Sequence, residues 1–276
     1  MTRELEPWQI AERSLIKKYR KMLWNPFIAA IKRYELIQPN DRIAVCVSGG
    51  KDSMAMAMLM RHLQQHSEVP FEIVLLCMDP GYSPENRRRI ETNAHLLNLP
   101  ITFFDSDIFA NAAEASAGSP CYLCARMRRG TLYAEAQRRG CGKIALGHHL
   151  NDVIETALMS MTYGAQLQGL VPRLKSTNFP GMELIRPLYC VREDDIIAWR
   201  NYNNLTFLRC ACRLSESAEL DENASKRRET KELIRRMKQV NPNVEINLFA
   251  SLHKVNLDTL PGWKHDGEMH SFLENL

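Results

Sequence analysis

Five runs of apolar, β-branched and aromatic residues recur through the middle of the chain, at 42–48, 71–79, 101–107, 143–149 and 183–188. Their length and near-continuous apolar character suit strands covered on both faces. Between them lie stretches with helical periodicity at 52–65, 86–98, 124–139 and 151–163. Strand and helix alternating at this spacing imply right-handed crossovers. The expected fold is α/β, an open parallel five-stranded sheet with helices on both faces. An amphipathic helical stretch at 8–36, interrupted near Pro26, precedes the first strand, and helical patterns at 193–203, 225–240 and 243–252 follow the last. The tail from Asp258 onward shows no pattern that assigns it. The expected organisation is a helical segment at 1–40, an α/β domain at 41–190 and a helical extension at 191–276.

Ligands of such sheets sit beyond the carboxyl ends of the strands, and three segments with chemical character fall there. The first reads Ser48-Gly49-Gly50-Lys51-Asp52-Ser53. Its glycines let the backbone approach an anion, its serines offer hydroxyls, Lys51 brings a point charge, and the helix that follows presents unpaired N–H groups. The spacing is not that of a Walker loop. The second, Cys77 to Gly81, contains Asp79, which either lines a nucleotide pocket or shapes the turn before Pro80-Gly81. The third, Gly147-His148-His149-Leu150-Asn151-Asp152, ends a strand and opens a helix. A carboxylate at Asp152 suits Mg²⁺ on bound phosphates and equally suits a helix N-cap. His148 or His149 could touch nucleotide or substrate, or be a satisfied core residue.

Composition narrows the class. Hydrophobic residues make up 45% and charged residues 25% of the 276-residue chain, ordinary values for a globular protein. No apolar run approaches a membrane span or the core of a secretory signal, so a cytoplasmic location is expected. Thiols stay reduced there, and the 8 cysteines read as metal ligands or core fillers rather than disulfides. Cys121 and Cys124 lie three residues apart at an expected helix start, on one face and close to basic residues that favour thiolates. Cys210 and Cys212 supply further sulfur. Soft ligands of this kind suit zinc or an iron–sulfur cluster, although a redox pair shares the spacing. Cys46, Cys77 and Cys190 fit buried structural thiols. The net charge is only +4, but basic clusters at 17–21, 87–89, 126–129 and 226–238 bring RNA into view as a partner.

SGGKDS behind a strand resembles the PP-loop of the ATP pyrophosphatases, which split ATP between its α and β phosphates. With CYLCARMRRGTLY, KIALGHHLNDVIET, MTYGAQLQGLVPRL and IRPLYCVREDDI in this order, the chain from about 41 to about 252 resembles the tRNA 2-thiocytidine synthetase (TtcA) family. The resemblance implies an adenine nucleotide alpha hydrolase-like fold. It also implies an ATP-dependent tRNA sulfurtransferase: the C2 carbonyl of a pyrimidine, expected to be cytidine, is adenylated, and its oxygen is replaced by sulfur carried on a [4Fe–4S] cluster.

Carried onto this chain, Cys121 and Cys124 are the first two cluster ligands. Cys212 or Cys210 is the third, with Cys212 preferred for its place before Arg213-Leu214-Ser215. Ser48, Gly49, Gly50, Lys51, Asp52, Ser53, Asp79, Gly147 and His148 bind nucleotide, and Lys51, Asp52 and Asp152 act in catalysis with ATP and Mg²⁺. Expected partners are tRNA and a sulfur donor protein or sulfide, and a homodimer is one option. The late cysteine segment reads CAC where familiar members carry a CxxC-like pair, which brings a paralogous branch into view. The first cysteine is Cys46, so the amino-terminal zinc-ribbon cysteines of the related 2-thiouridine enzymes are missing. Two other readings stand beside this one: ATP activation of an RNA base for attack by an amine without a cluster, and a non-enzymatic, nucleotide-responsive RNA-binding module.

Overall fold

All five expected strands form, and a sixth joins them. In the computed structural model, which describes residues 4–106, 120–208 and 222–275 (the side chains of 120–126, 222–225 and 275 excepted), these are β1 (Arg42–Cys46), β2 (Glu72–Asp79), β3 (Ile101–Asp105), β4 (Lys143–Ala145), β5 (Arg173–Lys175) and β6 (Glu183–Ile185). The sheet order is β3-β2-β1-β4-β6-β5. Every pairing is parallel except that of β5 with β6, so the sheet is six-stranded rather than five-stranded. The extra strand has one apolar residue between two charged ones, which leaves no apolar run to read. It is an edge strand, and its charge suits that place. Arg173 clamps Glu183 of β6 through two hydrogen bonds of 2.8 and 2.9 Å, and the β6 ladder then holds it in register.

Helices cover both faces. Ala44, Cys46, Leu76, Ile144 and Leu184 share one core cluster with Tyr133 and Ala136 of the helix Pro120–Arg138. The alternate residues Ile43 and Val45 are fully buried and point to the other face. On that side α3 (Lys51–His66) packs against β1 and β2. Every residue of α3 from Ser53 to Arg61 is buried, because helices cover its far side as well. These are α1 (Pro7–Arg13) and α7 (Glu193–Tyr202). Trp199 of α7 is fully buried and donates its indole N–H to Ser14 Oγ at 3.0 Å. That anchor sets α7 so that its first residue, Glu193, meets the first residue of α3.

The remaining helices are α2 (Asn25–Arg33), α4 (Pro84–Leu96), α5 (Pro120–Arg138), α6 (Leu150–Gly164), α8 (Glu222–Val240) and α9 (Val244–Ser251). Pro26 marks an interruption of the amino-terminal helical stretch, since a π-type turn ends at Trp24 and α2 begins at Asn25. It occupies the first turn of α2, where its missing N–H costs nothing, and further irregularity lies earlier, in wide π-type turns at Ser14–Lys18 and Arg20–Trp24. The tail contains an antiparallel hairpin, β7 (Gly262–His265) with β8 (Glu268–Ser271). Asp266 and Gly267 turn it with φ of 48° and 91°, the pair of positive angles that a two-residue hairpin turn of this hand requires. The chain divides into two compact units, Met1–Thr230 and Lys231–Leu276. Among the described residues no helix is long and apolar enough to cross a membrane.

Candidate functional site

From β1 the chain winds outward through β2 and β3, then returns to place β4 on the other side of β1. The gap between β1 and β4 is therefore the switch point of the sheet, where the loops after the two strands diverge and leave a crevice. A cavity of about 420 Å³ opens there. Ser48 lines it from the loop after β1 with Asp52 and Ser53 of α3, Met78 from the end of β2, Gly147 and His148 from the loop after β4 with Asp152 of α6, and Arg128 and Arg129 from α5. All three motif segments thus reach one cavity, the second through Met78.

The loop after β1 is held by its own side chains. Ser53 Oγ accepts from the Ser48 N–H at 3.1 Å, lies 3.2 Å from Ser48 Oγ and donates to the Gly50 carbonyl at 3.0 Å. Gly147 is needed for a different reason: a Cβ there would lie 3.2 Å from the Ser53 backbone nitrogen, so the end of β4 closes against the first turn of α3 only as glycine.

Charge is concentrated at the start of α3. Lys51 Nζ donates to Asp52 Oδ2 at 3.1 Å and to Glu193 Oε1 at 2.8 Å. Burial works against its charge, but the two carboxylates more than offset that and raise its pKa. The other oxygen of Asp52, Oδ1, is buried with no hydrogen-bond partner among the described residues and lies 3.8 Å from His149 Nε2. A buried carboxylate oxygen facing a cavity beside a second carboxylate, Asp152, is a donor set that fits a hard cation such as Mg²⁺.

His149, not Asp152, is the N-cap of α6. Its Nδ1 accepts from the Asp152 N–H at 3.4 Å while Asp152 Oδ2 accepts from the His149 N–H at 2.9 Å, a reciprocal capping box. Asp152 therefore stabilises the helix with one oxygen and turns Oδ1 toward Arg227 of α8, 3.6 Å away. His148 lines the cavity, and burial lowers its pKa to about 4. It is neutral at physiological pH, with Nδ1 unpartnered among the described residues.

That shift has a measurable consequence. The folded-state value lies below the ordinary 6.5, so the unfolded chain takes up a proton that the native state refuses. Stability is untouched above the ordinary value and is lost as the pH falls toward the folded one. By pH 5 the loss amounts to about 2 kcal/mol. Urea unfolding at pH 7 and pH 5 should show His148→Gln losing less stability on acidification than the unaltered protein; equal losses would contradict the shift.

Asp79 serves its own turn. One oxygen accepts from the N–H groups of Gly81 and Tyr82 at 2.9 and 2.7 Å, and the other pairs with Arg87 at 2.6 Å. Burial disfavours the carboxylate, yet the Tyr82 N–H, Arg87 and the Gly81 N–H together hold its pKa low. Cys121 and Cys124 fall in the first turn of α5, and Arg128 follows Cys124 by one helical turn, about 6 Å along the axis. Helix α5 therefore joins the cysteine pair to the cavity wall. Cys210 and Cys212 lie outside the described residues, and among those described no three His, Cys, Asp or Glu side chains assemble as a metal set.

Arg128, Arg129 and Glu193 are the site residues that motif reasoning misses. The arginines carried a signal, their spacing from Cys124; Glu193 carried none beyond its place at an acidic helix start. Arg235 and Arg236, in the basic stretch expected to meet RNA, are exposed and both pair with Glu232.

Residues 15–216 match the PP-loop domain family. A tRNA-cytidine(32) 2-sulfurtransferase of Citrifermentans bemidjiense is 35% identical over 82% of this chain and 88% of its own length. A protein of the same name from a Shewanella species is 33% identical over 99% of this chain and 84% of its own. Among solved structures, the U34-tRNA thiolase NcsA from Methanococcus maripaludis with its [4Fe–4S] cluster superposes with a TM-score of 0.67 at 19% identity, covering 87% of this chain and 80% of that one. The last comparison shows a shared fold.

Proposed function

Since this chain belongs to the tRNA-cytidine(32) 2-sulfurtransferase family of PP-loop proteins, we propose that it uses ATP to replace the C2 oxygen of a tRNA cytidine with sulfur. The observation that carries this reading is convergence: the SGGKDS loop and the GHHLND loop share one cavity, and the helix bearing Cys121 and Cys124 forms its wall.

The chemistry needs activation because an oxide-like oxygen at C2 is a poor leaving group. Attack of that oxygen on the α-phosphorus of ATP forms an adenylate and releases pyrophosphate; sulfide then adds at C2 and AMP departs with the oxygen. The loop Ser48–Ser53 and the N-terminus of α3 hold the phosphates through backbone N–H groups. Lys51 offsets the charge that grows on the departing pyrophosphate. Mg²⁺, held by Asp52 and Asp152, would screen the same charge. Neutral His148 can donate or accept a hydrogen bond without adding charge beside the reacting base. A [4Fe–4S] cluster held by Cys121, Cys124 and either Cys212 or Cys210 would supply a site that carries the sulfur. The partners are tRNA and a source of sulfide, free or delivered by a protein, in the cytoplasm.

The test uses anaerobically prepared protein with unmodified tRNA, ATP and sulfide. The expected outcome is 2-thiocytidine in the nucleoside mass spectrum, with pyrophosphate release that requires tRNA. Release of pyrophosphate with no thionucleoside in a colourless protein would favour amine chemistry. Failure of tRNA to stimulate release would leave only a nucleotide-responsive binding module.

A further inference from the structure

We propose that Glu193 is the resting counter-charge of Lys51, which positions the ammonium group before phosphate arrives and reclaims it as pyrophosphate leaves. The inference rests on the reading of Lys51 as a phosphate ligand and assigns a positioning residue to that site.

The backbone that carries the carboxylate is placed by the fold rather than by the lysine. The Glu193 N–H donates to Asn151 Oδ1 at 2.9 Å, which fixes the start of α7 against the start of α6. Trp199 anchors the same helix from its other end. From that anchored backbone the side chain reaches Lys51, with Glu193 Oε1 2.8 Å from Lys51 Nζ. The contact is breakable: the Lys51 and Glu193 side chains are 19% and 22% exposed, neither open to bulk water nor sealed from it. Asp52 alone, at 3.1 Å, would neutralise Lys51. The second carboxylate occupies the same ammonium group, so an incoming phosphate meets Lys51 fully only if one carboxylate gives way.

His149 indicates which one. Its Nδ1 accepts from the Asp152 N–H, so the proton sits on Nε2, which faces Asp52 Oδ1 at 3.8 Å and Glu193 Oε1 at 4.0 Å. Asp52 also lines the cavity and so stays with the ligand, whereas Glu193 is not among the residues that line it and meets Lys51 from α7. Glu193 is thus the carboxylate whose hold on Lys51 competes with phosphate.

Competition predicts an effect opposite to that of a structural ion pair. Glu193→Gln keeps the shape and a hydrogen-bond acceptor but removes the charge. Inorganic pyrophosphate, titrated calorimetrically into the full-length protein, should bind this variant about tenfold more tightly, a change equivalent to ~1.4 kcal/mol. In turnover, KM for ATP and kcat should fall together, because product is held longer. Glu193→Asp, which draws the carboxylate back by one methylene, should give a smaller gain and covers the case in which the amide variant fails to fold. Unchanged or weaker pyrophosphate binding in either folded variant would overturn the proposal. Lys51→Ala separates the two layers. If it binds pyrophosphate as well as the unaltered protein, the phosphate-ligand reading of Lys51 fails; if only that variant loses affinity and the Glu193 variants are unmoved, the counter-charge alone is wrong.

Discussion

Cys124→Ala is expected to abolish tRNA thiolation, with the rate falling below about one thousandth of the unaltered enzyme's, as happens when one member of a unit that acts together is removed. ATP affinity should change by less than about twofold, because the segment proposed to hold the phosphates is a different one, the loop after β1. The two halves meet through α5, which begins at Pro120, carries Cys121 and Cys124 in its first turn and lines the cavity with Arg128 and Arg129. Helix N-termini stabilise thiolates, the form that binds metal. Cys121→Ala should match Cys124→Ala, and the double variant should be no worse than either. Iron and acid-labile sulfide should fall in parallel with thiolation. A Cys124→Ala protein that still makes 2-thiocytidine at the normal rate would detach the cysteine pair from the reaction.

Gly49→Ala should produce the largest loss of stability, about 2–4 kcal/mol, combining a left-handed backbone angle with overpacking. Gly49 has φ of +81°, and a Cβ there would sit 2.6 Å from Ile90 Cγ1 and 3.1 Å from Leu208 Cδ1. Neither neighbour can retreat easily, since Ile90 is fully buried and Leu208 is tied by its N–H to the Gly49 carbonyl at 3.2 Å. Gly50 is the internal control. Its φ is −80° and its closest neighbour to a Cβ would be Ser48 Oγ at 3.6 Å, so Gly50→Ala should cost little stability. Chemical denaturation of the two variants side by side checks the contrast. A Gly49→Ala protein within about 0.5 kcal/mol of the unaltered one would mean that the loop relaxes freely.

The buried parallel strands were legible because strands covered on both faces need near-continuous apolar residues, and the interiors of β1 and β2 have them. β5 was not, since an edge strand of three residues draws its stability from the β6 ladder and from the Arg173–Glu183 clamp rather than from its own composition. The hairpin in the tail carried a readable sign, Asp266-Gly267, hidden because its strands are polar and exposed. Pro26 carried a correct sign as well: a proline in a first turn marks where a new helix begins, here α2 at Asn25.

At the site, the order of residues alone was enough to indicate a phosphate loop, a cysteine pair one helical turn apart and an acidic helix start, because each is a local arrangement set by spacing within a few residues. Distance in space settled the rest. Lys51 meets Glu193 across 142 positions, Arg128 reaches the cavity from α5, and Asp152 divides its two oxygens between its own helix and Arg227. Such pairings depend on which strands neighbour which and on how helices are anchored by distant residues such as Trp199. No short-range pattern encodes them, since the free energy that selects them belongs to the packed chain as a whole.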